Sequence, residues 1–333
     1  MRRIIVDGFG GDNAPDQILL GAYKAAISPE LQGAAKVIVT GDTEKLKAKC
    51  EELGIDADKL EFVHADEVIT MEDDPTAAVR KKKNSSLVVA MRMLSAGEGD
   101  AVVSAGSTGA VLTAATLVVG RIKGIKRPAL APVAPTLNGK TMLLDCGANA
   151  ECKTEYLEQF AIMGSVYVEK MFGVENPIVK LLNIGAEEHK GTELQKETYQ
   201  KLKESSVNFC GNMEPNEFMF GACDVVVTDG FSGNILLKST EGTAKALLAK
   251  LKVIFKSSII TKLAAMLIMG KFKELKKSMD ASEIGGVPLL GISKPVIKAH
   301  GNSKAHAIYN AILQAIKYDE SGIVNSIADT FSK

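Results

Sequence analysis

Short apolar runs alternate with longer amphipathic segments through the first two thirds of the chain. The runs are typical of buried strands and occupy residues 4–6, 37–39, 61–64, 100–104, 142–144, 178–184, 207–210 and 225–227. The segments between them have helical periodicity and predict helices over residues 16–26, 42–53, 87–94, 111–119, 154–171 and 193–203. This alternation predicts an α/β fold with a doubly wound, mostly parallel sheet.

One strand and the turn behind it organise the chain. Three valines, Val225 to Val227, precede the segment Thr228-Asp229-Gly230-Phe231-Ser232-Gly233-Asn234. The valines suit a strand that is covered on both faces, and the glycines permit close backbone approaches. Ser232 is placed to cap a helix that begins near Gly233. Such a turn presents backbone N–H groups and a positive helix end, which favour an anion such as phosphate.

The same pattern recurs at three other strand ends. Residues 100–109 align without a gap with residues 224–233, and residues 7–12 repeat the order of residues 229–234. A fourth strand ends in Asp145-Cys146-Gly147-Ala148-Asn149. Ligands of open α/β sheets bind at the carboxyl ends of strands, so these turns are predicted to form one site. Ordinary turns between strands and helices are the competing interpretation of each one.

The chain changes character after Asn234. Residues 241–280 are predicted to form a projecting basic helical hairpin, with seven lysines between Leu251 and Asp280 and a break at Gly270. Its apolar tip includes Leu263, Met266, Leu267 and Ile268. Cations near an apolar tip suit a contact with anionic lipid, although a core or dimer-forming helix pair fits equally well. The Gly- and Pro-rich segment 282–293 is predicted to be a loop.

Composition narrows the class of protein. The 333 residues are 46% hydrophobic and 24% charged with no net charge, so a large core is available and no overall field favours nucleic acid. Five cysteines without C-x-x-C spacing favour free thiols in a reducing compartment. No signal peptide is recognised, and no apolar run reaches the roughly 18 residues of a spanning helix. These features predict a cytoplasmic protein.

Known nucleotide and metal motifs are missing from the sequence. Gly139-Lys140-Thr141 resembles the end of a P-loop, but position 134 is Ala where that motif needs its first glycine. No G-x-G-x-x-G follows a strand, and no ligand cluster for a metal is recognised. We therefore expect no cofactor and no metal.

Seven segments together resemble the bacterial phosphate acyltransferase (PlsX) family, which transfers acyl groups from acyl carrier protein (ACP) to phosphate. They cover nearly the whole chain in order, at residues 6–15, 80–86, 104–110, 119–124, 144–149, 228–234 and 296–301. The sequence departs from the usual family pattern at Gly8-Phe9, Ser107 and Cys146, of which only Ser107 touches a predicted phosphate turn.

The resemblance implies a Rossmann-like fold related to phosphotransacetylases and to isocitrate and isopropylmalate dehydrogenases, arranged as a single domain over residues 1–333 and as a homodimer. It implies that acyl-ACP and inorganic phosphate give acyl phosphate and free ACP. A membrane glycerol-3-phosphate acyltransferase would consume the product, and the resemblance also supports peripheral attachment to the inner face of the cell membrane.

The resemblance and the chemistry together assign the candidate site residues. A phosphate dianion attacking a thioester needs anion binding, positioning and oxyanion stabilisation rather than a strong base. Lys190 is assigned to the phosphate, Asn234 to the phosphate or the oxyanion, and His300 to protonation of the leaving thiolate. The predicted substrate-binding residues lie in the four turns and are Asp7, Gly10, Gly11, Ser107, Thr108, Gly109, Asn149, Asp229, Gly230, Ser232 and Gly233.

Docking of acidic ACP requires a basic surface. Three stretches qualify: residues 80–83, residues 121–127 and the lysines between residues 252 and 277. Three other functions compete with the acyl-ACP reaction. They are a phosphotransacetylase-like enzyme acting on short acyl-CoA, a decarboxylating dehydrogenase, and an inert membrane scaffold.

Overall fold

The computed structural model describes residues 1–31, 35–278 and 285–332. The strands are β1 (Arg2–Asp7), β2 (Ala35–Gly41), β3 (Glu61–His64), β4 (Ala101–Ser104), β5 (Ala129–Leu130), β6 (Val133–Thr136), β7 (Gly139–Leu144), β8 (Ile178–Leu182), β9 (Asn208–Met213), β10 (Val225–Val227), β11 (Val287–Leu290) and β12 (Val296–Lys298). The helices are α1 (Asp16–Ala26), α2 (Thr43–Leu53), α3 (Pro75–Lys81), α4 (Ser86–Ala96), α5 (Thr108–Ala114), α6 (Thr154–Phe172), α7 (Glu193–Glu204), α8 (Gly230–Lys256), α9 (Ile259–Ser278), α10 (Ala305–Glu320) and α11 (Ile323–Phe331).

The strands form two sheets. The first has the order β3-β2-β1-β4-β12-β11-β5, and the second has the order β6-β7-β10-β8-β9. The central pairs of both sheets are parallel, whereas β11 in the first sheet and β6 in the second pair antiparallel with their neighbours. The predicted α/β class with mostly parallel strands is therefore confirmed, with two sheets in place of one.

The two sheets meet where the chain passes from β5 to β7. The backbone N–H of Cys146 donates to the carbonyl of Leu130 at 3.0 Å, and the N–H of Leu143 donates to the carbonyl of Pro132 at 2.9 Å. One cluster of buried apolar side chains includes Val103 of the first sheet together with Leu144 of the second. The hydrogen bonds place the turn after β7 beside β5, and Thr108 and Ala148, which follow β4 and β7, line one narrow crevice. The single-domain organisation over residues 1–333 stays a prediction.

The predicted hairpin is the pair α8 and α9. The buried residues of α8 are Gly230, Gly233 and Leu236, all within its first two turns, so the rest of the helix extends away from the sheets. The rings of Phe255 and Phe272 pack edge to face at 5.6 Å and join the two helices. Residues 279 and 280 of the predicted hairpin lie outside the described residues.

Three local predictions are wrong. Asp229, not Ser232, caps α8, because its carboxylate lies at the end of β10 and accepts the N–H of Ser232. The hairpin turns at Ser257 and Ser258 rather than at Gly270, because Ser258 Oγ accepts the N–H of Thr261 and starts a new helix. The predicted loop 282–293 contains strand β11, which pairs with β12 and β5; residues 282–284 lie outside the described residues.

Candidate active site

Asp7, at the end of β1, organises the first turn from within the sheet. Its side chain is buried, and its two oxygens accept hydrogen bonds from Ser86 Oγ at 2.6 Å and Ser104 Oγ at 2.7 Å. Desolvation raises the pKa of this carboxyl, while the two hydroxyls act in the opposite direction. Asp7 thus ties β1 to β4 and to the start of α4, which fixes the turn that carries Gly10 and Gly11.

The turns after β1 and β4 lie against each other. A β-carbon on Gly10 would lie 2.8 Å from the backbone nitrogen of Gly106, so only glycine allows this approach. Ser107 caps α5, since its hydroxyl accepts the N–H of Ala110 at 3.2 Å. The structure therefore brings together the predicted residues Gly10, Gly11, Ser107, Thr108 and Gly109.

Asp145 organises the turn after β7. Its buried carboxylate accepts backbone N–H groups from Leu130 at 2.8 Å, Cys146 at 2.7 Å and Asn149 at 2.6 Å. Burial raises the pKa of this carboxyl to about 6, and the N–H donors partly offset that rise. The amide of Asn149 donates to Asp145 and to the carbonyl of Pro128, so Asn149 supports the turn.

The turn after β10 lies beside that of β7. The N–H of Gly230 donates to the carbonyl of Asn149 at 2.7 Å. Asn234 lies over the same turn, because a β-carbon on Gly147 would lie 3.9 Å from Cγ of Asn234. The side chain of Asn234 is exposed and is therefore available to a substrate. Asp229, Gly230, Ser232 and Gly233 form the start of α8 around it.

Lys190 lies in the loop after β8, the strand next to β10. Leu181 of β8 pairs with Val227 of β10, so the loops that carry Lys190 and Asn234 leave the same edge of the second sheet. The Lys190 side chain is half-buried and lies against Gly185. A β-carbon added to Gly185 would lie 3.1 Å from Cγ of Lys190. Among the described residues, no direct hydrogen bond joins Lys190 to Asn234.

His300 lies in the turn that follows β12, at the carboxyl end of that strand. Partial burial, followed by the positive charges of Lys238 and Lys298, lowers the pKa of its imidazole. A lowered pKa favours the neutral ring at pH 7, and this ring still has an N–H to donate. Lys238 is on α8, which places His300 beside the helix that starts at the second sheet.

Two cysteines close to these turns have unreactive thiols. Burial, followed by the charge of Asp145, raises the pKa of Cys146 and of Cys152 to about 12 in each case. A thiol with such a pKa forms little thiolate at neutral pH and is a poor nucleophile. This finding favours direct attack on a substrate over a covalent acyl-cysteine intermediate.

Sequence reasoning gave no role to Lys298, the last residue of β12. Its side chain is only 7% exposed, and burial lowers its pKa to about 8. Lys298 borders a narrow crevice together with Thr108 of α5 and Ala148 of the turn after β7, so it lies near turns of both sheets. The signal in the sequence was a lysine at the end of the apolar run Pro295-Val296-Ile297, directly before a glycine-flanked histidine. Ser86, Ser104 and Asp145 also lie at the site, and the sequence analysis gave them no role there.

Within the described ranges, no group of three or more His, Cys, Asp or Glu side chains is arranged to hold a metal ion. None of the helices in the same ranges combines the length and apolar character that crossing a bilayer requires.

Known proteins match nearly the whole chain. A family described as "Fatty acid synthesis protein" matches residues 2–326. The phosphate acyltransferase of Caldanaerobacter subterraneus subsp. tengcongensis is 50% identical over 313 residues, which are 94% of this chain and 92% of that protein. The phosphate acyltransferase of Bacillus licheniformis is 49% identical over 94% of this chain and 93% of its own length. The chain belongs to the phosphate acyltransferase family.

Solved structures place this phosphate acyltransferase among related folds. A phosphotransacetylase from Streptococcus pyogenes aligns with a TM-score of 0.64 at 18% identity, covering 96% of this chain and 94% of that one. A 4-hydroxythreonine-4-phosphate dehydrogenase from Burkholderia phymatum aligns with a TM-score of 0.52 at 13% identity, over 95% and 98% of the two chains. These identities support a shared fold alone. The fold relationship to phosphotransacetylases, which the resemblance implied, is confirmed.

Proposed function

We propose that this phosphate acyltransferase converts long-chain acyl-ACP and inorganic phosphate to acyl phosphate and free ACP. The observation that carries the proposal is the near full-length match, at about half identity, to proteins named phosphate acyltransferases. The glycine-rich turns support it, because those after β1 and β4 lie against each other in the first sheet, those after β7 and β10 do so in the second, and such turns suit a phosphate anion. The acyl phosphate would feed phospholipid synthesis through a membrane glycerol-3-phosphate acyltransferase.

The reaction is a direct displacement. An oxygen of HPO₄²⁻ attacks the thioester carbonyl, the carbon–sulfur bond breaks as the tetrahedral intermediate collapses, and the phosphate proton ends on the departing thiol. No cysteine is needed, which agrees with the raised thiol pKa values of Cys146 and Cys152. The protein's task is to hold the anion and to stabilise the developing oxyanion.

Two exposed or half-exposed side chains supply those interactions. Lys190 attracts the phosphate as a point charge, and the amide of Asn234 donates to the phosphate or to the oxyanion. Both leave the same edge of the second sheet. The neutral ring of His300 donates its N–H toward the leaving sulfur, as a third and weaker contribution.

The proposed partners are ACP, a second copy of this chain in a homodimer, and a membrane surface. We propose a cytoplasmic enzyme that attaches peripherally to the inner face of the cell membrane. Exposed apolar side chains on the α9 half of the hairpin support this: Leu263 and Met266 are more than half exposed, and Leu267 is 88% exposed. Neighbouring lysines would meet anionic lipid headgroups.

The test measures the free thiol released from palmitoyl-ACP by the purified protein with and without inorganic phosphate. Phosphate-dependent release is expected, with a loss of about 10²–10³ in rate for Lys190→Ala and for Asn234→Ala. Lys196→Ala is the matched control, because Lys196 is a nearby surface lysine paired with Glu193 at 2.9 Å. Release from acetyl- or butyryl-CoA in preference to palmitoyl-ACP would contradict the proposal and indicate a phosphotransacetylase-like enzyme.

A further inference from the structure

Lys298 is a buried amine at the junction of the two sheets. It pairs in register with Ser104 of β4, and β4 lies next to β1. Side chains of a strand alternate between its faces, so Lys298 shares its face with Val296. Val296 packs in the apolar cluster that also contains Val111 of α5, whereas Ile297 belongs to the core on the opposite face. The stem of Lys298 therefore runs along the α5 side of the sheet.

The amine lies at the carboxyl edge of the strand. Its Nζ donates a hydrogen bond to the carbonyl of the next residue, Ala299, which itself sits in the turn before His300. Lys298 lines a narrow crevice together with apolar Val111, Leu112 and Leu289 and with Thr108 and Ala148. The Lys298 side chain thus lies near the turn after β4 and the turn after β7.

This ammonium group has too few partners for its charge. It carries three donors, and among the described residues it donates a hydrogen bond only to the carbonyl of Ala299. Over the same residues, Lys298 belongs to no ion pair within 4.0 Å. The carboxylates of Asp12 and Asp7 attract it from beyond ion-pair distance, and Asp7 already accepts hydrogen bonds from Ser86 and Ser104. A buried cation in this state is stabilised by an anion that enters beside it.

We infer that Lys298 is a phosphate-binding residue, whose buried ammonium group holds the attacking phosphate between the turns of the two sheets. The inference rests on the proposed function for the identity of the anion, and it adds a cation from the first sheet to Lys190 from the second. A second phosphate source exists, namely the phosphodiester of the pantetheine arm that carries the acyl group. We assign Lys298 to the free phosphate, and the kinetic measurement distinguishes free phosphate from the pantetheine phosphodiester.

The decisive variant is Lys298→Met, which keeps the apolar stem and removes the charge. Burial of a charge without a partner costs free energy, so an apolar side chain of similar length should not destabilise the protein and the variant is expected to fold. Loss of a charged hydrogen bond predicts a KM for inorganic phosphate that is about 10- to 100-fold higher, with the KM for palmitoyl-ACP unchanged. Lys317→Met, which removes an exposed lysine of α10, is the control and should alter neither constant.

A second readout needs no acyl donor. Millimolar phosphate is expected to raise the unfolding temperature of the unaltered enzyme and of Lys317→Met, and to leave that of Lys298→Met unchanged. A phosphate-induced shift that survives in Lys298→Met, or that is absent from the unaltered enzyme, would overturn the inference. A raised KM for palmitoyl-ACP alone would also overturn it, by assigning the cation to the pantetheine phosphodiester.

The two measurements distinguish a failure of the Lys298 assignment from a failure of the proposed acyl-ACP reaction. If the unaltered enzyme releases no thiol but loses its phosphate-induced stabilisation in Lys298→Met, the anion site stands and the acyl-ACP reaction fails. If thiol release depends on phosphate and is unaffected by Lys298→Met, the reaction stands and the inference fails.

Discussion

The carboxylate of Asp229 accepts two hydrogen bonds from Ser232, one from the backbone N–H at 2.8 Å and one from the hydroxyl at 2.9 Å. This pair closes the first turn of α8 and holds Asn234 on the following turn of the same helix. The cap therefore does more than stabilise a helix end, because it sets the position of a proposed oxyanion donor.

Replacing this cap should affect both stability and rate. Asp229→Ala is expected to lose about 1 kcal/mol of unfolding free energy, the usual contribution of such a cap. It should also slow phosphate-dependent thiol release about 10- to 100-fold, because a small displacement of Asn234 misaligns the donor. Chemical denaturation and the thiol assay measure the two effects.

A second cap provides the matched control. Asp42 caps α2 in the same way, accepting the N–H of Lys45 at 3.2 Å, but it follows β2 and lies outside the predicted site. Asp42→Ala should lose a similar unfolding free energy with no change in rate. Equal rates in the two variants would show that the Asp229 cap does not position Asn234.

Two glycines of α8 should respond oppositely to the same substitution. A β-carbon on Gly233 would meet the carbonyl of Asp145 and lie 2.9 Å from Cγ2 of Thr228, whereas one on Gly242 would meet nothing within 4 Å. Gly233→Ala is expected to lose about 1–3 kcal/mol through overpacking. Gly242→Ala should gain up to about 1 kcal/mol, because alanine favours a helix interior.

Denaturant midpoints of the two variants test this directly. A Gly233→Ala protein as stable as the parent would mean that the turns after β7 and β10 can move apart. The Gly233→Ala variant would then be expected to retain its activity as well. That result would argue against a rigid site where these two turns meet.

The turns were predictable from sequence because each combines a buried apolar strand with small residues in a fixed order. Bounds were predicted closely where an amphipathic segment had clear ends, as in α1 and in β3, which match their predictions residue for residue. Antiparallel β5, β6 and β11 were missed, since strands of two to four residues carry little periodicity. Their omission also hid the division into two sheets.

The features that were not predicted depend on contacts between residues that are distant in sequence. Ser86 belongs to the site because its hydroxyl reaches Asp7 across 79 positions of the chain, and no local pattern reports such a contact. Gly270 was predicted to break a helix, yet it lies within α9 in open space, where glycine lowers stability without ending the helix. Lys298 ends a short apolar run, and its position near turns of both sheets likewise depends on contacts distant in the chain.

The apolar side of the hairpin predicts lipid binding. Leu267→Glu places a charge at a site that is 88% exposed and should strongly reduce flotation with liposomes that contain anionic lipid, because the tip can no longer enter the acyl boundary. Leu137→Glu is the control, since Leu137 is 73% exposed but lies between β6 and β7. Equal flotation of the two variants would contradict the assignment of the tip.

Burial of Lys298 predicts a pH-dependent stability in phosphate-free buffer. Burial lowers its pKa from 10.5 to about 8, while Asp12 and Asp7 attract the ammonium group and Lys238 of α8 repels it. Between these two pH values the unfolded chain keeps a proton that the folded protein has released. The unfolding free energy therefore rises with pH across this window, by up to about 3 kcal/mol in total.

The difference between the unaltered enzyme and Lys298→Met isolates this effect from other titrating groups. The unaltered enzyme should be the less stable of the two below pH 8, and the gap should narrow as the pH approaches 10.5, measured by denaturant unfolding at several pH values. A gap that stays constant would mean that Lys298 keeps its ordinary pKa in the folded protein. The ammonium would then already be well solvated or paired, and an entering phosphate would gain little from it.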